Sequence, residues 1–216
     1  MAAFIVSSFG VFVMGLFAGL FTTPSEQTCT GLTYGWAVAS GERQTITTYL
    51  WLTGATRVKH FSCFYRFLGG ALYRARWQLW ARIIHCAAQW VPAEAVIVLI
   101  VDDSTKKKAG RQIEGVGHYR NGAGSARQEY RTLRGLNFVW GLMRVPVPGW
   151  PGQRVSIPIG LALYLKEEQA EKLQLPYQAR STLAREIVDF VAAQLPTRRI
   201  RVVGDGGYAT KDTLRQ

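Results

Sequence analysis

Val96-Ile97-Val98-Leu99-Ile100-Val101-Asp102-Asp103 is the stretch from which the rest of the chain is read. Its six consecutive aliphatic residues are mostly β-branched and too few for a free-standing helix, which predicts a strand. An uninterrupted apolar run of this kind predicts burial on both faces, inside a parallel or mixed sheet. Two carboxylates close the run, followed by Ser104, Thr105 and Lys106-Lys107-Lys108. In open α/β sheets the functional crevice lies outside the carboxyl ends of the strands, so acids here stand where chemistry is done. The pattern returns late in the chain, where Ile200, Val202 and Val203 lead into Gly204 and Asp205, with Gly206, Gly207 and Tyr208 behind. Two buried strands that each deliver an aspartate predict a shared carboxylate site. The simplest use of such a site is to hold a hard divalent cation such as Mg²⁺.

Composition bounds the partner. The chain has 216 residues, 48% of them hydrophobic, with seven Trp, nine Tyr and ten Phe, so it can bury a core and is not a disordered polymer. Its formal charge of +12 makes a polyanion the leading partner, nucleic acid ahead of an acidic membrane surface. Cys29, Cys63 and Cys86 are odd in number and contain no C-x-x-C pair, which argues against a zinc ribbon or a disulfide framework. His60, His85 and His118 show no metal-ligand spacing, and His85 reads as a packed helix residue.

Residues 2–21 carry no charge, and Gly15 and Gly19 make a GxxxG pair, so by length alone this is a candidate membrane span. A signal peptide fits poorly, because no basic segment opens it and no small-x-small site precedes Pro24. The competing reading is a buried helix that ends at Thr22, Thr23 and Pro24. Residues 25–94 read as helical: a run up to Leu52 closed by Gly54, a second short helix around residues 62–68, and a Trp-rich helix over residues 73–90. Arg43, Arg57, Lys59 and Arg66 make the first two compatible with a helix-turn-helix head. In the third, Trp77, Trp80, Ala81, Ile84, Ala87 and Ala88 recur at helical spacing, and the Trp stripe reads as core.

Past Asp103 the sequence predicts strands at 113–119, 138–147 and 157–165, with Pro158 making the start of the last a sheet edge or an entry point. Asn121-Gly122-Ala123-Gly124-Ser125 is a glycine-rich loop. Lys106, Lys107, Lys108, Arg111, Arg120, Arg127, Arg131 and Arg134 form a basic belt in sequence, with Glu114 and Glu129 the only acids from residue 104 to 134. Contacts from such a belt to phosphates position a nucleic-acid backbone without reading bases. Leu183, Ile187, Val191 and Leu195 repeat at i+4, widened by Ala184 and Val188, and predict an amphipathic helix with Ser181 or Thr182 as N-cap and Pro196 as terminator. This helix feeds the second aspartate-bearing strand, as a crossover to a strand parallel to the first requires.

In order and spacing these segments resemble the insertion-sequence transposases with a DDE, ribonuclease-H-like catalytic domain. The first catalytic block is matched by Asp102-Asp103-Ser104-Thr105, Lys108-Ala109-Gly110 and Ile113-Glu114-Gly115-Val116-Gly117-His118. Ile157-Pro158, Leu163-Tyr164 and Arg180-Ser181-Thr182-Leu183-Ala184 follow, and the second block is matched by residues 200–209. Phe61-Ser62-Cys63-Phe64-Tyr65-Arg66-Phe67 and the Trp-rich helix are also similar to this group. The resemblance implies a helical N-terminal domain, residues 1–92, that binds DNA, followed at 93–216 by an α+β, ribonuclease-H-like mixed sheet with flanking helices. It implies a first helix that packs in the helical domain rather than spanning a membrane, and a cytoplasmic, nucleoid-associated protein.

Carried over by position, Asp103 and Asp205 are the catalytic, metal-holding acids, with Mg²⁺ or Mn²⁺ as cofactor. Successive strand side chains face opposite sides, so only one of Asp102 and Asp103 faces the metal. The acid directly before Ser104-Thr105 is Asp103, which leaves Asp102 as a supporting or alternative acid. Lys106, Lys107, Lys108, Arg111, Arg127 and Arg131 are the expected DNA contacts, and Tyr208 is expected to orient the turn after Asp205. The implied partners are duplex DNA, as transposon ends and target, and a second copy of the chain in a synaptic complex, with no small-molecule substrate. The family's third acid, a glutamate on a later helix, has no counterpart at residues 206–216, and Glu167, Glu168, Glu171 and Glu186 all precede Asp205. The expectation is therefore an incomplete catalytic domain, from a truncated copy or one completed by a separate reading frame, that binds DNA but does not cut it alone. Two other classes are a non-catalytic DNA-binding remnant and a membrane-anchored protein.

Overall fold

In the computed structural model of the chain, residues 15–38, 45–57, 59–108, 110, 112–120, 132–147 and 149–208 are described. The chain divides into two compact units, Met1–Ile83 and Ile84–Gln216. The division falls inside a helix, ahead of the 92/93 boundary expected from the sequence.

The first unit is helical. Helices α1 (Thr23–Val38), α2 (Ile46–Leu52) and α3 (Phe61–Arg66) are joined by a 3₁₀ turn at Ala55–Arg57, and α3 runs into a π turn at Phe67–Leu72. Thr45 caps α2 by accepting the Thr48 N–H at 3.1 Å. Gly54, at φ 66°, turns the chain after it in a conformation that residues with a Cβ rarely take. Phe17, Cys29 and Phe67 form the small buried centre. Lys59, grouped by sequence with DNA-binding residues, instead donates its ammonium to the Pro24 carbonyl at 2.9 Å and the Thr28 hydroxyl at 3.3 Å. No described helix is long and apolar enough to cross a membrane.

Helix α4 (Arg76–Ala88) corrects two expectations. Its buried residues are Ile84, Ala87 and Ala88. Trp77 stands 47% exposed with the Arg76 guanidinium 5.3 Å from its ring, so it is not core, and His85 is exposed rather than packed.

The second unit is built on a five-stranded mixed sheet. The strands are β1 (Ile97–Lys107), β2 (Gly117–Arg120), β3 (Thr132–Pro146), β4 (Arg154–Tyr164) and β5 (Ile200–Gly204), in the order β2-β3-β1-β5 with β4 also paired to β3. β1 runs antiparallel to β3 and, as the two aliphatic runs predicted, parallel to β5, but β5 is exposed from Arg201 to Gly204 and is not the buried strand expected, because it lies at the sheet edge. Helices α5 (Glu167–Lys172) and α6 (Arg180–Gln194) lie between β4 and β5 in the chain. The strand expected at 113–119 begins only at Gly117, and Ala179 rather than Ser181 or Thr182 takes the N-cap position of α6, without a side-chain bond.

β1 differs from its prediction in burial and in length. Ile97, Leu99 and Val101 are buried, while Val98 and Ile100 are half-buried, so one face is sealed and the other is not. The sealed face is the one under α6, whose Leu183, Ala184, Ile187 and Val191 are buried. Gly141 of β3, paired with Val101, is also paired with Gly160 of β4. A Cβ at Gly160 would come within 2.7 Å of Ile187 Cγ2, and one at Gly141 would collide with the same methyl. The glycine pair is therefore the notch into which α6 seats. The register shift between Gly141 and Leu142 sits next to Pro158, on a strand whose outer side pairs with nothing described, which is where the sheet tolerates a residue without an N–H. Finally, β1 does not stop at its aspartates. It continues to Lys107 by pairing with β3, whose partners reach Gly135.

Candidate active site

The parallel ladder between β1 and β5 ends at the pair Val101 and Gly204. Asp102 stands next on β1 and Asp205 directly after the end of β5, so the fold delivers both acids to one edge of the sheet. Val101 shares a face with Gly141, the face under α6, so alternation along β1 puts Asp103 on that face and Asp102 on the opposite one. Both Asp102 and Asp205 are exposed, whereas Asp103 is partly covered.

The hydrogen bonds follow the same division. Odd-numbered amides of β1 point toward β5, as the Ile97 N–H shows by donating to the Arg199 carbonyl at 2.9 Å. Beyond the last ladder pair the Asp103 amide donates instead to Asp102 Oδ1 at 2.8 Å, which draws that carboxylate to the β5 side of the strand. Asp205 Oδ1 accepts the Gly207 N–H at 2.9 Å, and the Tyr208 N–H donates to the Asp205 carbonyl at 3.1 Å, folding residues Gly206–Tyr208 into a 3₁₀ turn.

Asp103 is embedded in a different network. Its Oδ1 accepts the Tyr208 hydroxyl at 3.2 Å, and its Oδ2 accepts Asn137 Nδ2 at 2.8 Å with Arg180 Nε 3.6 Å away. Asn137, 1% exposed on β3, also donates to Thr105 Oγ1 at 3.0 Å and accepts from Arg180 Nε at 3.1 Å. The Arg180 guanidinium lies 4.3 Å from the Tyr164 ring centre. Burial, and then the negative charge of Asp103, push the Tyr208 hydroxyl well above the usual phenol range, so it stays a proton donor to Asp103. Burial, reinforced by the Tyr177 hydroxyl, lifts Tyr164 to about 12.

Asn137 and Arg180 were not singled out as site residues by sequence. Asn137 could have been noticed as an amide at an inward position of an otherwise apolar strand. Arg180 lies in a quoted motif, but only the fold brings the first turn of α6 over β1.

Lys106, Lys107 and Lys108 are exposed where β1 leaves the sheet, beyond the acids. Arg134 serves the backbone rather than solvent: its guanidinium donates to the Lys108 carbonyl at 3.0 Å and the Gly110 carbonyl at 3.3 Å. Arg111, Arg127, Arg131 and the loop 121–125 lie outside the described residues.

Exposed aspartate oxygens in the absence of softer donors suit a hard ion such as Mg²⁺, which takes one or two carboxylates and keeps several waters. Among the described residues no group of three or more His, Cys, Asp or Glu side chains gathers as a metal cage. The sequence model of the family described as DDE superfamily endonuclease matches residues 17–216. Neither the curated proteins nor the solved structures contain a match to the chain.

Proposed function

Since the chain belongs to the DDE superfamily endonucleases, we propose that it is a transposase of the insertion-sequence kind, with Asp205 and one acid of the adjacent Asp102 and Asp103 holding the metal of DNA strand cleavage and transfer. The observation that carries this reading is the parallel β1–β5 pair, which ends in step at Val101 and Gly204 with an aspartate directly after each. Position in the motif favoured Asp103 as the metal ligand. The register and the exposed oxygens favour Asp102, on the side of Asp205, with Asp103 turned into its own network of donors. Asp205 and the acids at the end of β1 would hold a divalent ion, which would supply charge stabilisation for an in-line phosphoryl displacement. The reaction then calls on no nucleophilic side chain.

The protein's own contribution is to fix the carboxylates and to bring the phosphate backbone to them. Lys106 and Lys107 extend from the same strand as the acids and Lys108 follows directly, so a duplex that meets the lysines passes the carboxylate edge. A second copy of the chain, bringing two DNA ends together, belongs to this reading as well.

The test is calorimetric titration with Mn²⁺, alone and with duplex DNA, followed by a strand-cleavage assay. The wild-type chain is expected to bind the ion, and Asp205→Asn and Asp102→Asn to abolish binding while leaving DNA affinity in place. A chain that binds DNA but takes up no Mn²⁺ would overturn the metal reading and identify a DNA-binding remnant without catalysis.

A further inference from the structure

Resting on that reading, we propose that Asp103 is a positioning residue: it ties the Asp205 turn to strand β1 through the Tyr208 hydroxyl, and Asn137 and Arg180 hold its carboxylate in place for that task. Three observations converge. The Asp103 carboxylate is engaged at both oxygens, by Tyr208 Oη on one and Asn137 Nδ2 on the other, with Arg180 Nε beside the second. A carboxylate so occupied, next to a guanidinium, is a poorer ion ligand than its exposed neighbour Asp102. Its partners come from three separate places, β3, the first turn of α6 and the turn after Asp205, so this one side chain joins them to β1, the elements that must agree for the acids to meet. And Tyr208, 7% exposed, lies three residues after Asp205 in a turn closed on Asp205 itself, so the hydroxyl bond fixes that aspartate relative to β1.

The parallel ladder cannot do this alone. It ends at Val101 and Gly204, one residue short of the acids, and past that point β5 has no further pairing with β1. The Tyr208–Asp103 bond is what spans the gap. Groups that orient metal ligands in this way commonly govern affinity by about 10–100-fold without touching the ion.

Two measurements separate this role from direct ligation. The first is amide hydrogen exchange of Gly207 and Tyr208 in the metal-free protein, which reports local opening. Tyr208→Phe removes a single hydroxyl and is expected to speed this exchange. Asp103→Ala should do so equally, and the double variant no more than either single one. Asp103→Asn, whose amide oxygen still accepts from Tyr208, should protect the turn better than Asp103→Ala. Unchanged exchange in Tyr208→Phe overturns the tether. The second is Mn²⁺ affinity. Tyr208→Phe should weaken it by about tenfold, and Asp103→Asn should retain binding that Asp205→Asn loses. If Asp103→Asn loses binding as completely as Asp205→Asn, then Asp103 is itself a ligand and the proposal falls. If the wild-type chain takes up no Mn²⁺, the metal reading fails, and the exchange data still decide the tether.

Discussion

Cys29 shows how burial acts on a single ionisable side chain. Cys29 is 5% exposed in the helical unit, and burial raises its thiol from 9.0 to about 12, against a smaller opposing effect of its hydrogen bond with Thr33. The thiolate is the reactive form, so the folded chain should show Ellman's reagent only the half-buried Cys63 and Cys86, with Cys29 labelled after denaturation. Labelling of all three thiols at similar rates in the native protein would contradict the burial. The same shift has a stability sign. Below pH 9 both folded and unfolded chains hold the proton and the contribution is complete. As pH rises from 9 toward 12 the unfolded chain ionises first, and stability falls. Asp103, only partly covered, is held instead by partners from elsewhere in the chain, Tyr208, Asn137 and Arg180.

Among the elements, α6 shows how a helix is seated by what the sheet lacks. Its periodic Leu183, Ile187 and Val191 supply the apolar stripe, but any apolar stripe would lie on any apolar face. The Gly141–Gly160 pair in β3 and β4 makes one position lower than the rest, and Ile187 occupies it. Gly160→Ala places a methyl against Ile187 and should cost about 1–3 kcal/mol in urea unfolding, as overpacking does. Ile187→Ala should cost about 2–5 kcal/mol by leaving a cavity. Combined, the two should cost clearly less than their sum, because the added methyl fills space that the lost side chain vacates. Additive costs would mean that the helix does not seat in this notch. The consequence reaches the site, since the first residue of α6 is Arg180, beside Asp103.

For the whole molecule, the +12 charge is a statement about partners rather than about fold. The site edge carries part of it as Lys106, Lys107 and Lys108, all exposed, while Lys59 and Arg134 spend their charge on the chain's own carbonyls. Binding to duplex DNA should weaken steeply with salt. Replacing Lys106, Lys107 and Lys108 together with Ala should flatten the plot of log affinity against log salt by roughly 0.9 for each lysine that meets a phosphate. A slope that does not change would place these lysines away from the DNA.

The sequence by itself determined the parts of this protein that depend on local pattern. Aliphatic runs ending in acids specified β1 and β5 and their parallel pairing, the i+4 stripe specified α6 between them, and Pro158 marked an edge or entry point, because period and breaker residues act over a few neighbours. Motif order specified the family. What tertiary structure decided was which aspartate of an adjacent pair lies on the face under α6, where Asp103 meets Asn137 and Arg180. A shift of one residue in the pairing of β1 with β3 would exchange the faces of Asp102 and Asp103, and nothing within the run records that register. The same holds for Asn137 and Arg180, 34 and 77 residues from Asp103 in the chain: their roles come from a contact among strand, strand and helix that exists only once the sheet has formed and been covered.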